Sequence, residues 1–127
     1  MKIGLDFGGV IDHNEEGWIV SIKNAITNGH EIFIISHAHP GKDHQWRIDF
    51  ANKCGAINYT FSDTMDENVI IKRKFDICKQ LGIELFVDDM PDRAIYVRKH
   101  NPDCGILCFD NLKQSVTKMI FDKITAK

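Results

Sequence analysis

The sequence predicts an α/β fold in which helices cover both faces of a five-stranded, mainly parallel sheet. Short apolar runs alternate with amphipathic stretches along the chain, which is the pattern of repeated strand-helix-strand units. Residues 31–36 (EIFIIS) are apolar at nearly every position, as expected for a strand buried on both faces. Right-handed connections then give a doubly wound three-layer sandwich, and we expect residues 1–127 to form one domain.

The first half of the chain is predicted from local patterns. Residues 2–7 form an apolar strand that ends at a glycine pair, and the polar residues 12–16 read as a loop. Apolar residues recur at helical spacing over residues 18–28, and the glycine that follows suits a left-handed helix end. After the second strand, Asp43 can cap a helix of about 12 residues. Residues 57–61 (INYTF) form the third strand.

The second half of the chain repeats the alternation. Apolar positions predict a third helix over residues 71–81, which Gly82 ends, and residues 84–88 (ELFVD) form the fourth strand. Pro91 suits the first turn of a short fourth helix, and residues 105–109 form the fifth strand. Apolar residues at helical spacing predict a C-terminal helix: Leu112, Val116, Met119, Ile120 and Ile124.

Composition narrows the class of protein. The chain has 16 basic and 18 acidic residues, a net charge of −2, so it lacks the excess of basic residues that dominates nucleic-acid affinity. No apolar run approaches the length of about 18 residues that a membrane span needs, and we expect a cytoplasmic protein. The 4 cysteines include no C-x-x-C pair, and a chain of this size has core enough not to need disulfides, so we expect reduced thiols. Their spacing does not match that of a structural zinc site.

Acidic and hydroxyl side chains follow three of the predicted strands. Asp6 ends the first strand, Ser36 the second, and Asp88 and Asp89 the fourth. The ligand crevice of a doubly wound sheet lies at these carboxyl ends, so these side chains are candidates for one site. Carboxylates that converge repel one another unless a cation neutralises them. Since oxygen ligands suit hard divalent cations, we expect one such as Mg²⁺ to bind there.

Four segments, each at the end of an expected element, stand in a characteristic order. Residues 3–12 (IGLDFGGVID) are an apolar strand that ends in an aspartate, and Ser36 ends the next strand. Lys72 or Lys74 accompanies the third helix, and residues 86–92 (FVDDMPD) end the fourth strand in acids. Together these segments resemble the four motifs of the haloacid dehalogenase superfamily of phosphohydrolases. The resemblance covers all but the C-terminal helix and implies a Rossmann-like core.

The resemblance implies a nucleophile and a metal site. Asp6 would attack phosphorus and form an aspartyl-phosphate. Asp6, the backbone carbonyl of Gly8 and Asp88 would hold Mg²⁺, which masks the charge of the phosphoryl oxygens. Asp89 or Asp92 would support Asp88.

The resemblance also implies two groups that bind the phosphate. Ser36 would donate its hydroxyl to a phosphoryl oxygen, and a lysine would hold the nucleophile and the phosphate by charge. Lys72 and Lys74 both fit the third motif, and we select Lys72. The predicted activity is hydrolysis of a phosphate monoester through the intermediate on Asp6.

Position 8 departs from the family pattern. The family's phosphatases usually carry a second aspartate there, which protonates the leaving oxygen and then activates water, whereas Gly8 has no carboxylate. Loss of a general acid and base typically lowers the rate by about 10² to 10⁴. Asp12 and His37 are close in sequence to the site residues and are candidate substitutes or substrate contacts. The alternative function is a catalytically impaired module that binds metal and phosphate.

The connections leave almost no room for a cap domain. About ten residues separate the first strand from its helix, and residues 62–68 after the third strand are equally brief. By the resemblance, capless members act on macromolecular phosphates such as nucleic-acid ends or phosphoproteins, or use a neighbouring subunit as a lid. We expect the partner to be a phosphorylated substrate, whether a macromolecule or a small molecule, and not a membrane.

A second resemblance involves histidines. His37 and His39, followed by Asp43 and His44, are similar to the H-x-H-x-D-H signature of metallo-β-lactamase-like zinc hydrolases, with two extra residues in between. That fold needs roughly twice this chain length. We therefore favour a solvated turn, in which Asp43 caps the next helix.

Side chains of the first two helices are predicted to lie either in the core or in solvent. Trp18 and Trp46 have apolar neighbours at helical spacing, and we expect both in the core. Phe50 and Cys54 continue the stripe of Trp46 and are expected to be buried. Arg47 is expected to be solvated, with contact to a substrate phosphate as the alternative.

Overall fold

Five strands alternate with five α-helices over residues 1–108 and 114–127, which are the residues that the computed structural model describes, and a short π-helical turn, Phe7–Ile11, follows the first strand. The strands are β1 (Lys2–Leu5), β2 (Glu31–His37), β3 (Ile57–Phe61), β4 (Leu85–Asp88) and β5 (Gly105–Cys108). The helices are α1 (Glu15–Thr27), α2 (Lys42–Cys54), α3 (Glu67–Leu81), α4 (Pro91–His100) and α5 (Gln114–Thr125). The predicted order of strands and helices is confirmed. No helix within these ranges is long and apolar enough to cross a membrane.

The five strands run parallel in the order β3-β2-β1-β4-β5. The central strand β1 pairs with β2 on one side, and on the other side its Leu5 lies opposite Val87 of β4. The chain moves outward from β1 to β3 and then returns to the other side of β1, so the strand order reverses between β1 and β4. Ligands of such sheets bind at the carboxyl ends of the strands next to this reversal.

Helices cover both faces of the sheet. On one face α1, α2 and α5 pack around a cluster that includes Phe50, Cys54 and Phe121. On the other face α3 and α4 pack around a cluster that includes Phe75 and Val97. Burial from both sides explains why β2 is apolar at almost every position. The expected doubly wound three-layer sandwich is confirmed, as is the burial of Phe50 and Cys54.

The helices α1 and α3 begin earlier than predicted because side chains cap them. Glu15 begins α1 inside the segment predicted as a loop, since the Asn14 side chain accepts a hydrogen bond from a backbone N–H of the first turn. Glu67 begins α3 about one turn ahead of its predicted start, since the Asp66 carboxylate accepts two such N–H groups. The spacing of apolar residues in the sequence carries no information on these polar contacts.

The helix α2 starts without a side-chain cap. Gly41, with φ of 93°, precedes its first residue, and the prediction that Asp43 caps the helix is wrong. Asp43 lies within the first turn, where its carboxylate accepts the backbone N–H of His39 at 2.8 Å. Two other predicted boundaries, the end of β5 at residue 109 and the start of α5 at Leu112, lie outside the described residues.

The two tryptophans occupy different environments. Trp18 is 1% exposed and packs edge-on against Phe121, so its predicted place in the core is confirmed. Trp46 is 42% exposed, and its predicted burial is wrong. The ring covers Phe7 at the rim of the core, and its indole N–H donates to Glu15 at 3.2 Å. The rim position keeps both an apolar and a polar partner in reach of the indole.

Replacing the tryptophans one at a time should separate the two environments. Trp18→Ala removes a fully buried ring and should lower the free energy of unfolding by about 3–5 kcal/mol. Trp46→Ala is the matched control and should lower it clearly less, because much of that ring is already in water. Urea unfolding measures both midpoints, provided that the slope stays constant. Equal losses would contradict the difference in burial.

Candidate active site

Three carboxylates meet where the strand order reverses. Asp6 follows β1, Asp88 ends β4, Asp89 comes next, and one ligand oxygen of each lies within 4.8 Å of the others. The backbone N–H of Asp6 donates to the Val87 carbonyl at 2.9 Å, which extends the pairing of β1 and β4 to the site. Asp6 is 4% exposed and Asp88 is 1% exposed. The structure therefore brings these three candidate residues together.

A buried lysine links two of the carboxylates. Nζ of Lys74 lies 3.0 Å from an Asp88 oxygen and 3.1 Å from an Asp6 oxygen. Lys72 instead lies on the exposed side of α3, where its Nζ is 2.7 Å from Asp76. Residues two apart on a helix point about 200° apart, so one lysine faces the sheet and the other faces solvent. The selection of Lys72 is corrected: Lys74 is the lysine of this site.

The carboxylates outnumber the cations that reach them. Burial raises the pKa of Asp6 above its usual range, against the opposing charge of Lys74. Burial and the charges of Asp6 and Asp88 raise the pKa of Asp89 to about 7. Burial also works to lower the pKa of Lys74, but the two carboxylates outweigh it and raise that pKa. The lysine thus stays charged, while Asp89 binds a proton near neutral pH that a divalent cation would displace.

The donor set fits a hard divalent cation. Carboxylate oxygens are preferred ligands of Mg²⁺, and within the described part of the chain these three aspartates form the one group of at least 3 metal-ligating side chains. Asp92, the alternative support for Asp88, lies outside that group. Its Oδ1 accepts the backbone N–H of Arg93 at 3.0 Å in the first turn of α4. Of the two alternatives, Asp89 is therefore the acid that joins Asp88.

The backbone requires glycine at one of the two positions Gly8 and Gly9, but not at the other. Gly9 has φ of 76°, and a Cβ at this position would overlap the Asp89 carboxylate, so glycine is required. Gly8 has φ of −65° and ψ of 130°, a conformation that any residue adopts. A Cβ built at Gly8 would lie 3.7 Å from Nη2 of Arg47, which is ordinary contact. The backbone therefore does not require a glycine at position 8.

Ser36 is held by Arg47. Ser36 is the penultimate residue of β2 and is fully buried. Its hydroxyl accepts a hydrogen bond from Nε of Arg47 at 2.9 Å and donates to the His37 carbonyl at 3.3 Å. Arg47 is 7% exposed, so its expected solvated position is wrong. Its Nη1 lies 2.6 Å from Asp43, and its guanidinium carbon lies 4.7 Å from the centre of the Phe7 ring. These partners compensate the buried charge.

The two candidate substitutes for the missing acid are engaged elsewhere. Asp12 accepts the backbone N–H of Gly9 at 2.9 Å, and His13 lies 3.5 Å from the same oxygen. Nε2 of His37 lies 2.6 Å from the Thr64 carbonyl, and because a carbonyl can only accept, this nitrogen carries the proton. The structure brings neither Asp12 nor His37 into the three-carboxylate group.

The histidines of the zinc signature do not converge. Nδ1 of His44 lies 2.9 Å from the Ser62 hydroxyl, and the ring centres of His37 and His39 are 6.3 Å apart. Over residues 1–108 and 114–127, no group of at least 3 metal ligands includes a histidine or a cysteine. The geometry thus favours the carboxylates as the candidate metal site.

Arg93 flanks the site, and the sequence patterns do not single it out. Its Nη2 lies 2.7 Å from Glu67, and its charge opposes the raised pKa of Asp6. Its buried Nε has no hydrogen-bond partner among the described residues. The one sequence signal is its position in the first turn of α4, directly after the strand that carries Asp88 and Asp89.

The similarity of this chain to known proteins is a similarity of fold. No family model matches the sequence, and no curated protein matches it. An uncharacterized protein from Corynebacterium glutamicum ATCC 13032 Kitasato has a similar structure, with a TM-score of 0.62 and 14% identity over 96% of this chain and 94% of that one. An NADPH-dependent 3-quinuclidinone reductase from Rhodotorula rubra has a TM-score of 0.47 and 11% identity over 93% of this chain and 59% of that one. Fold and site define a doubly wound α/β protein with a carboxylate group at its strand-order reversal.

Removing Lys74 should leave the carboxylates without their cation. Lys74→Met should lower the free energy of unfolding at pH 7 by about 3–5 kcal/mol, because Asp6 and Asp88 stay buried without a partner. Lys72→Met is the matched control and should leave the unfolding midpoint nearly unchanged, since its ion pair is exposed. Chemical unfolding of the two variants measures the difference. Similar midpoints would mean that Lys74 does not stabilise the carboxylates.

The metal-free protein should lose stability as the pH rises towards 7. Folding raises the pKa of Asp89 from 3.8 to about 7, so in this window the folded state binds more protons than the unfolded state. Protonated Asp89 therefore makes the folded state more stable at low pH than at neutral pH, and this gain in stability is lost as the carboxyl ionises. Asp89→Asn should therefore flatten the fall in melting temperature from about pH 4 to about pH 7.

The matched control for this pH series is Asp49→Asn, which changes an exposed carboxylate of α2 that accepts from Gln45. It should keep the slope of the wild type. Mg²⁺ should raise the melting temperature of the wild type more at neutral pH than at pH 5, because it competes with the proton on Asp89. A slope that Asp89→Asn leaves intact would assign the pH dependence to other groups.

Proposed function

We propose that this protein is a Mg²⁺-dependent phosphatase that hydrolyses a phosphate monoester through an aspartyl-phosphate on Asp6. The observation that carries the proposal is the three-carboxylate group, in which Lys74 lies between Asp6 and Asp88 at the strand-order reversal. A carboxylate nucleophile, a fixed cation beside it and oxygen ligands for a divalent metal are the groups that phosphoryl transfer through an aspartate needs. Ser36 adds a hydroxyl at the end of the neighbouring strand.

Asp6, Asp88 and Asp89 would hold the Mg²⁺, with the backbone carbonyl of Gly8 as a further ligand. Bound there, the ion supplies positive charge that masks the phosphoryl oxygens from the attacking carboxylate. Support for this assignment comes from Asp89, because burial and the charges of Asp6 and Asp88 raise its pKa to about 7, and a bound cation would offset both effects.

The chain's own residues would divide the remaining tasks. An oxygen of Asp6 attacks phosphorus, and Lys74 keeps that carboxylate oriented. The Ser36 hydroxyl exchanges its long bond to the His37 carbonyl for one to a phosphoryl oxygen. Because Gly8 carries no acid, no proton reaches the leaving oxygen from position 8, and turnover should depend on how basic that oxygen is.

The proposed substrate includes bulky phosphates. Residues 6–14 and residues 62–66 are the connections after β1 and β3, and both are too short to fold into a lid domain. Nucleic-acid ends and phosphoproteins would then reach the carboxyl edge of the sheet as readily as small phosphorylated molecules.

Phosphate release tests the proposal. The wild type should hydrolyse an aryl phosphate with Mg²⁺ and lose at least about 100-fold in rate without Mg²⁺ or in Asp6→Asn. An alkyl phosphate should react about 10² to 10⁴ more slowly, because its leaving oxygen needs a proton. Asp76→Asn is the matched control: it changes an exposed aspartate paired with Lys72 and should keep wild-type turnover.

The second candidate is a catalytically impaired module that binds metal and phosphate. Two observations favour it: Gly8 carries no carboxylate, and Asp6 is only 4% exposed. Calorimetry with Mg²⁺ separates the two functions. Binding of Mg²⁺ without any Asp6-dependent release of phosphate would replace the phosphatase with this module.

A further inference from the structure

Arg47 is turned towards the space that a side chain at position 8 would occupy. Its Nε is bonded to Ser36 and its Nη1 to Asp43, which together fix the plane of the guanidinium. Its Nη2 lies 3.7 Å from the Cβ position at Gly8. The side chain is 8% exposed. A fixed and buried cation therefore faces the place where a carboxylate is missing.

The backbone beside Arg47 does not require a glycine at position 8. Gly8 has φ of −65° and ψ of 130°, so a larger residue fits there. The cations of the site also fall into two sets. The charges of Lys74 and Arg93 act on Asp6, whereas Arg47 lies beside Ser36 near the end of β2. The proposed function places the Ser36 hydroxyl on a phosphoryl oxygen, and because Nε of Arg47 lies 2.9 Å from that hydroxyl, a phosphoryl group that reaches Ser36 would lie next to the Arg47 guanidinium.

We propose that, besides phosphate monoesters, the aspartyl-phosphate chemistry on Asp6 acts on a phosphoanhydride as its preferred substrate and that Arg47 binds the phosphate that leaves; this inference rests on the proposed phosphatase function. An oxygen of Asp6 bonds to the terminal phosphorus, the anhydride P–O bond breaks, and its electron pair stays on the leaving phosphate beside Arg47. Water then attacks the phosphorus of the aspartyl-phosphate, and the bond to Asp6 breaks to regenerate the carboxylate. Both protons of that water leave on the product H₂PO₄⁻.

An anhydride suits a site that offers a cation and no proton donor to the leaving group. A guanidinium keeps its protons in proteins, so Arg47 cannot protonate the alkoxide that an alkyl phosphate releases. It does form strong charge-assisted hydrogen bonds to phosphate oxygens. A leaving phosphate is stable as an anion and needs charge compensation rather than a proton. Arg47 and Gly8 together therefore select against alkyl phosphates.

Three substrates compared on the same preparations test the inference: inorganic pyrophosphate, an aryl phosphate and glycerol phosphate. With Mg²⁺, the wild type should favour pyrophosphate over glycerol phosphate by at least about 100-fold in kcat/KM. Arg47→Met should lower kcat/KM for pyrophosphate at least about tenfold more than for the aryl phosphate, whose leaving oxygen carries less charge. Arg73→Met, which changes an exposed arginine paired with Asp63, is the matched control and should leave all three values unchanged.

A second variant keeps Arg47 and its bonds to Ser36 and Asp43. Gly8→Asp places a carboxyl group beside Nη2, where its ionised form pairs with the guanidinium and its protonated form can donate a proton to the leaving oxygen. Hydrolysis of pyrophosphate should fall, and hydrolysis of glycerol phosphate should rise. A variant that had lost its fold would hydrolyse both substrates more slowly, so opposite changes in the two activities exclude that explanation.

Binding of pyrophosphate gives a readout that does not depend on turnover. In calorimetry on the Asp6→Asn protein, adding Arg47→Met should weaken pyrophosphate binding at least about tenfold. Unchanged binding, or equal losses on pyrophosphate and the aryl phosphate in Arg47→Met, would overturn the inference and reduce Arg47 to a residue that positions Ser36. Asp6-dependent hydrolysis of the aryl phosphate would then still support the phosphatase, whereas no Asp6-dependent release from any substrate would remove both proposals.

Discussion

The ammonium of Lys74 lies between the carboxylates of Asp6 and Asp88, and all three groups are almost out of contact with water. Removing such charges from water has an unfavourable free energy of several kcal/mol per ion, which only good geometry and additional hydrogen bonds offset. The backbone supplies those bonds, because the N–H groups of Phe7 and Met90 each donate to a carboxylate at 2.9 Å. The pairing of β1 with β4 and the rotation of α3 are thus both tied to one buried ionic cluster. A hydrophobic centre would serve stability as well, so the cluster supports the proposed catalytic role.

Charge is arranged differently on the two sides of β1. Towards β4 the carboxylates are in excess. Burial and the charges of Asp6 and Asp88 raise the pKa of Asp89 to about 7, and that side suits a metal cation. Towards β2 the Ser36 hydroxyl and the Arg47 guanidinium provide donors, and that side suits an anion. A phosphoryl group needs both at once, since its oxygens must be masked while its phosphorus is attacked. The turn after Asp6 separates the two sides.

The sequence predicted strands more accurately than helix starts. The third strand occupies the predicted residues 57–61, because a short run of β-branched and aromatic residues between turns has few alternatives. The starts of α1 and α3 depend on hydrogen bonds from Asn14 and Asp66 to backbone N–H groups, and hydrophobic spacing carries no information on them. The predicted burial of Trp46 is wrong for a related reason. Helical spacing shows which residues share a face of the helix, but not how far the core extends along that face.

By itself, the sequence determined the alternation of strands and helices and the placement of Asp6, Ser36 and Asp88 at strand ends. Both follow from hydrophobic patterns within a few neighbouring residues. The tertiary structure alone decided that Lys74 faces the site and that Arg47 is buried against Ser36. The physical reason is that a charged side chain is buried only where groups from distant segments compensate it, and no local pattern in the chain records which segments those are.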